Sequence, residues 1–105
     1  MTGFVTACPL AELPPGEKRV VTIGDRELAL VNVDGEIFAV DNDCPHRGGP
    51  LGHGDLQGHV LHCPLHAWPF DLRTGVCTLF PDARIRTWEV RITEGMILVA
   101  TTART

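Results

Sequence analysis

Tyrosine is absent from this sequence of 105 residues, so no phenolic hydroxyl is available for hydrogen bonding. Basic clusters are absent as well. Nine Lys and Arg stand against 13 Asp and Glu, a net charge of −4, and the charges are scattered along the chain. Nucleic acids and anionic membranes both require a basic face, so neither is expected as a partner. No apolar run approaches the ~20 residues of a membrane-spanning helix. The start, Met1-Thr2-Gly3-Phe4-Val5, lacks the basic segment of a secretion signal, and a cytoplasmic location is expected. Cysteine is scarce, since four residues fall below the roughly 8–10% that marks a disulfide scaffold. In such a chain, metal binding or reactive thiol chemistry is the better expectation. With 44% hydrophobic residues the length suits one domain, burying roughly two-thirds of the surface its unfolded form exposes.

Helix signals are nearly missing, and a single turn near Pro9 to Leu13 is the only one read. Short strand-like runs recur instead between Gly, Pro and Asp punctuation. They cover Lys18 to Ile23, Glu27 to Val33, Glu36 to Asp41, Val60 to His62, Phe70 to Leu72, Val76 to Leu79, Arg84 to Thr93 and Met96 to Ala100. Asp34-Gly35 provides a two-residue hairpin turn, with Ile37 and Ala39 facing one way and Phe38 and Val40 the other. Glu94-Gly95 provides another turn, and Thr101 to Thr105 is expected to fray. Regular short strands with frequent turns predict an all-β sandwich or small barrel.

One stretch breaks this rhythm. Asn42 to Pro69 holds all five histidines, and four glycines fall between Gly48 and Gly54. A long loop inside a compact domain is usually functional. It contains Cys44-Pro45-His46 and, 16 residues further on, Cys63-Pro64-Leu65-His66. Each segment offers one thiolate, one imidazole and a proline that stiffens the loop. Three readings are open. The residues are ordinary core cysteines and histidines; or they form a structural Cys₂His₂ zinc site, as in a zinc-stabilised binding module; or they hold a [2Fe–2S] cluster with two histidines replacing two cysteines on one iron. Matched pairs in two Gly/Pro-rich loops speak against the first. The mixing of Cys and His within each short segment speaks against the second.

The pattern resembles the Rieske iron–sulfur motif, C-x-H followed by C-x-x-H. The resemblance extends to His46-Arg47-Gly48-Gly49-Pro50-Leu51 and to Trp68-Pro69-Phe70-Asp71-Leu72-Arg73-Thr74-Gly75, stretches similar to those flanking the ligands in Rieske-type ferredoxins. It implies a Rieske-like fold of small antiparallel sheets. Residues 1–105 would form a single domain, with a cluster-binding subdomain of two ligand loops at approximately 42–70 and a base β domain from the remainder. It also implies one [2Fe–2S] cluster, with Cys44 and Cys63 on the inner iron and His46 and His66 on the outer, more exposed one. With two ferric ions, two sulfides and two thiolates such a cluster is formally neutral, whereas an all-cysteine cluster is a dianion. It therefore accepts an electron more readily.

The resemblance further implies a soluble one-electron carrier between a reductase and an oxygenase or similar terminal enzyme. Such a chain is the electron-transfer component of an oxidoreductase system and performs no catalysis alone. Pro45, Gly49, Pro50 and Leu65 would form an apolar docking collar around the exposed histidine edges. The alternative is a small subunit bound to the large subunit of an NADH-dependent nitrite reductase. Gly48, Gly49 and Gly52 are expected to let backbone N–H groups approach the sulfides. Cys8 and Cys77 are read as bystander thiols, His62 as packed, His53 and His59 as surface or turn residues (His53 near the cluster rim), and Trp68 and Trp88 as core.

High-potential Rieske proteins of respiratory complexes add a disulfide between the loops and hydroxyl side chains after the second one. Here Gly48 and Leu65 replace the extra cysteines, and Trp68 and Phe70 replace the hydroxyls. Fewer hydrogen bonds to sulfur leave the reduced cluster less stabilised. The expected midpoint potential is therefore near the low end of the Rieske range, on the order of −150 mV. A redox titration checks this, and a value well above zero would remove the chain from the low-potential branch.

Overall fold

The computed structural model describes residues 3–45, 48–65 and 67–104. Nine strands are formed: β1 (Phe4–Pro9), β2 (Lys18–Ile23), β3 (Arg26–Val33), β4 (Glu36–Asp41), β5 (Asp55–Gln57), β6 (Val60–His62), β7 (Pro69–Asp71), β8 (Thr87–Thr93) and β9 (Met96–Ala103). Two single 3₁₀ turns, Leu10–Glu12 and Leu51–His53, are the only helical segments among the described residues. Six strands form one antiparallel sheet in the order β1-β9-β8-β4-β3-β2, and β5-β6-β7 form a second. The all-β expectation therefore holds.

Turn chemistry sets the hairpins. Asp34 and Gly35 adopt φ of 52° and 98°, and Glu94 and Gly95 adopt 51° and 77°. Two successive positive φ values match the right-handed twist of the flanking strands. They place Val33 opposite Glu36 and Thr93 opposite Met96.

β3 divides the core. Its period of two sends Ala29, Val31 and Val33 to one side, where they pack with Leu51, Leu61, Phe70, Leu72 and three cysteines. Leu28 and Leu30 go to the other, against Leu13, Trp88, Ile97 and Val99. β4 divides in the same way, with Phe38 and Val40 on the first side and Ile37 and Ala39 on the second, as expected. A strand buried on both faces needs apolar side chains at every position, which is what Leu28 to Val31 supply.

Several boundaries differ from expectation. β1 and β5 carry no strong strand pattern. β1 exposes Val5 and Thr6 and is broken by an irregularity between Thr6 and Cys8. Val76 to Leu79 is not a strand, making only the isolated bridges Phe70–Cys77 and Val76–Arg84. The Arg84 to Thr93 run starts its strand at Thr87, and its alternation is interrupted by a bulge between Trp88 and Val90 that leaves Thr87 and Trp88 both buried. The bulge follows a junction tied by Asp41, whose carboxylate accepts from the Arg86 amide at 3.0 Å and Trp88 Nε1 at 3.2 Å. Thr101 to Ala103 does not fray. It continues β9, with the Thr101 amide donating to Gly3 O at 2.7 Å and the Arg104 amide to Thr87 O at 2.7 Å.

The stretch Asp71-Leu72-Arg73-Thr74-Gly75 is a self-bonded turn closing the second sheet. Asp71 Oδ1 accepts the Arg73 amide at 2.9 Å, Thr74 Oγ1 accepts the Val76 amide at 3.2 Å, and Gly75, at φ 80°, donates its amide to Asp71 O at 2.7 Å. Phe70 and Leu72, 0% and 1% exposed, anchor the turn in the core. The Arg73 guanidinium beside Asp71 holds the carboxyl below its usual range. A carboxyl whose folded pKa is depressed contributes stability that is present above its unfolded value, about 4, and is lost as pH falls through the folded value. Asp71→Ala should cost about 1 kcal/mol near neutral pH and flatten this acid-limb dependence. Urea unfolding of both forms from pH 7 down to 3 would show it, and parallel curves would contradict it.

Candidate metal centre

The two cysteine segments occupy loops of one design. The Cys44 amide donates to Gly49 O at 3.0 Å, and the Cys63 amide donates to Trp68 O at 2.9 Å. In each case a cysteine at the first position closes its loop onto the carbonyl five residues on. The first loop leaves the end of β4 and is bridged at its base by Asp43 and Pro50. The second is the connection of the β6–β7 hairpin, whose ladder places His62 opposite Pro69. Inside the first loop, Gly48 at φ 69° returns its amide to Cys44 O at 2.6 Å. Inside the second, Ala67 takes φ 56°, uncommon for a residue with a Cβ.

The loops meet at their sulfurs. Cys44 and Cys63 are 2% and 1% exposed. Burial pushes the Cys63 thiol up; the Leu65 amide, 3.4 Å from its sulfur, opposes this, and the neighbouring Cys44 thiol adds to it. Two buried thiols this close resist ionising together unless a cation compensates them. Gly49 supplies the space between the loops, since a Cβ there would stand 2.8 Å from Cys63 Sγ and 3.1 Å from Leu65 Cγ. A soft cationic centre held by thiolates fits this arrangement. Among the described residues no group of three or more Cys, His, Asp or Glu gathers to hold a metal. The two other expected ligands, His46 and His66, lie outside the described residues.

The family model of the Rieske [2Fe-2S] domain matches residues 3–89. The chain belongs to that family. Among its relatives, the ferredoxin component of the naphthalene 1,2-dioxygenase system of Pseudomonas aeruginosa is 37% identical over 97 residues, covering 91% of this chain and 93% of the relative. A chain in the complex of reduced oxygenase and oxidized ferredoxin of carbazole 1,9a-dioxygenase superposes with a TM-score of 0.90 at 28% identity, covering 100% of this chain and 99% of that one. A Mycobacterium tuberculosis protein described as an NADH-dependent nitrite reductase small subunit gives 0.87 at 31% identity, with 98% of each chain covered. The Rieske-like fold and one Rieske-type [2Fe–2S] cluster follow from this membership. The paired thiols and the Gly49 gap suit that cluster.

The remaining expectations divide. Cys8 is buried in the base core and Cys77 in the core that also holds Cys44 and Cys63, at 4% and 0% exposure. Trp88 is core, while Trp68 is half-buried with its ring 4.5 Å from that of Phe80. His53 is exposed on its 3₁₀ turn, and His62 is half-buried with Nδ1 3.3 Å from Asp55 O. His59 sits at a turn but packs edge-on against Phe38, centroids 5.6 Å apart. Two glycine roles need correction. The Gly48 amide is taken by Cys44 O, and the Gly52 amide by Asn42 Oδ1 at 2.8 Å, so neither is directed to a sulfide. Gly49 is buried between the loops and is no part of a collar, whereas Pro45, Pro50 and Leu65 are exposed. Asn42, 3% exposed, was not expected to matter; an Asn between a strand and a Cys-Pro-His segment was its only signal.

Filling the gap at Gly49 tests this geometry. Gly49→Ala should separate the sulfurs or displace Leu65, lowering the iron content of the purified protein about tenfold, whereas Cys77→Ala should leave it unchanged. Iron and acid-labile sulfide assays check both, and full loading of Gly49→Ala would refute the close approach.

Proposed function

We propose that the protein is a one-electron carrier that takes electrons from a reductase and passes them to a terminal oxygenase. The likeness that carries this reading runs nearly end to end, since the chain covers 93% of a dioxygenase ferredoxin component. Cys44 and Cys63 are its inner ligands and His46 and His66 its outer ones. When bound, the cluster supplies a one-electron couple. The chain's own residues hold and shield it. Cys44 and Cys63 keep their sulfurs out of water, the Leu65 amide stabilises negative charge on one of them, and Gly49 admits both to one site.

Pro45 and Leu65 expose apolar surface within the two loops, and Pro50 exposes more at the base of the first. Phe80, also exposed, rests on Trp68 of the second loop. A small apolar contact of this kind suits a redox partner that docks and leaves. The ligand loops with the three-stranded sheet, approximately 42–70, serve as the cluster-binding subdomain, and the six-stranded sheet as its base. Among the described residues no helix is long and apolar enough to cross a membrane, and the proposed location is the cytoplasm. The likeness to a nitrite reductase small subunit supports a second reading, in which the same centre relays electrons inside a stable complex.

The test is purification of the native protein followed by spectroscopy. A carrier should emerge without a stoichiometric large partner and show a reduced Rieske-type EPR spectrum. It should also mediate electron flow from NADH through the reductase of a naphthalene dioxygenase system to its oxygenase. A large partner in equal amount favours the subunit reading. Protein with zinc and neither iron nor acid-labile sulfide would end both.

A further inference from the structure

The two ligand loops are alike in their closing bond but not in their footing. The second loop rests on a hairpin, where β6 and β7 pair from Val60–Asp71 to His62–Pro69 directly beneath it. The first has no such ladder. It rises from the end of β4, and the chain beyond it runs into the 3₁₀ turn Leu51–His53 with only the Asp43–Pro50 bridge between.

We propose that Asn42 is the positioning residue that replaces the missing ladder and holds the Cys44 thiolate in register with Cys63. This rests on the reading of both cysteines as cluster ligands. Asn42 stands two residues before Cys44 and is 3% exposed. Its amide donates to Glu27 O of β3 at 3.1 Å, tying the start of the loop to the base sheet. Its carbonyl accepts the Leu51 amide at 2.7 Å, and its Oδ1 accepts the Gly52 amide at 2.8 Å, so it also grips the far end. Gly52 has no latitude, because a Cβ there would lie 2.5 Å from Val20 Cγ2 and 3.1 Å from Asn42 Oδ1. Leu51, fully buried, packs in the same core as both cysteines. One residue thus joins β3, the start of the loop and its end, its main chain bonding Glu27 and Leu51 and its side chain bonding Gly52.

The main-chain bonds survive replacement of the side chain, so the sheet should form without it. The Oδ1 bond does not survive, and the buried Gly52 amide is left without its acceptor. Asn42→Leu keeps the branched shape, adds bulk and removes the acceptor. In the cluster-loaded protein it should release iron to a ferrous chelator about tenfold faster than the parent and broaden the EPR lines of the reduced state. Asn42→Asp, which restores an acceptor oxygen, should return both to parental values.

Asn32 is the matched control. It is also 3% exposed and doubly bonded, with Nδ2 donating to Leu13 O at 2.8 Å and Oδ1 accepting the Gly35 amide at 2.7 Å, but it serves the base. Asn32→Leu should lower the melting temperature and leave iron release and EPR linewidth unchanged. Parental iron release and linewidth in Asn42→Leu, or equal acceleration in Asn32→Leu, would overturn the proposal. Should Asn42→Leu fail to fold, the less bulky Asn42→Ala, which also lacks an acceptor, is judged by the same two results. A parent protein without iron and sulfide would instead overturn the cluster reading and this proposal together.

Discussion

Two thiols held side by side beneath the surface are costly to ionise, and the rest of the domain depends on that pair. Each sulfur alone would pass for an ordinary buried cysteine, as Cys8 and Cys77 are. Burial raises the cost of ionising Cys63, and the neighbouring Cys44 adds to it. A site of this kind has to be assembled by the fold before a cation compensates it, because flexible loops would let the sulfurs separate. That need explains why both loops carry the same amide-to-carbonyl closure and why a residue without a Cβ stands between them.

Rigidity in the loops is inherited from the sheet below. β3 is apolar on both faces because it belongs to two cores at once: the first holds the sulfurs, the second the base. Burying Phe70 contributes about 2 kcal/mol by itself, and its position opposite Leu61 fixes the register of the hairpin under Cys63. The turn from Asp71 to Gly75 then returns the chain toward the base through the Ile85 amide, which donates to Gly75 O at 2.8 Å. The motif Asp-Leu-Arg-Thr-Gly is therefore architectural. It supports the site from behind without contributing a ligand.

Much of this was legible in the residues. The hairpins at Asp34-Gly35 and Glu94-Gly95 could be read because positive φ at two successive positions has a narrow sequence signature. The faces of β4 could be read because Ile37 to Val40 alternates about a buried strand. β1 was not legible, since an edge strand with an irregularity exposes residues that a regular pattern would bury. The bulge at Trp88 was not legible, and the Trp88 ring beside it is bonded to the Asp41 carboxylate 47 positions away in sequence. Gly48 and Gly52 misled for a related reason. A glycine in a metal loop suggests approach to the metal, yet one amide here closes its own loop and the other serves Asn42.

The electrostatics of the sulfurs connects these details to the couple. Hydrogen bonds to a cysteine ligand stabilise added negative charge and raise the potential, and each missing donor leaves the reduced state less favoured. Among the described residues the Leu65 amide is the backbone donor to either sulfur, and at 3.4 Å it is a long bond. The Gly48 amide bonds Cys44 O and the Cys63 amide bonds Trp68 O. Phe70 fills its place with a fully buried ring and Trp68 leans on Phe80, so neither position offers a hydroxyl. The amides that hold the loops rigid are thereby withheld from the sulfurs. Rigid loops and the expected low potential would then be two consequences of the same hydrogen bonds.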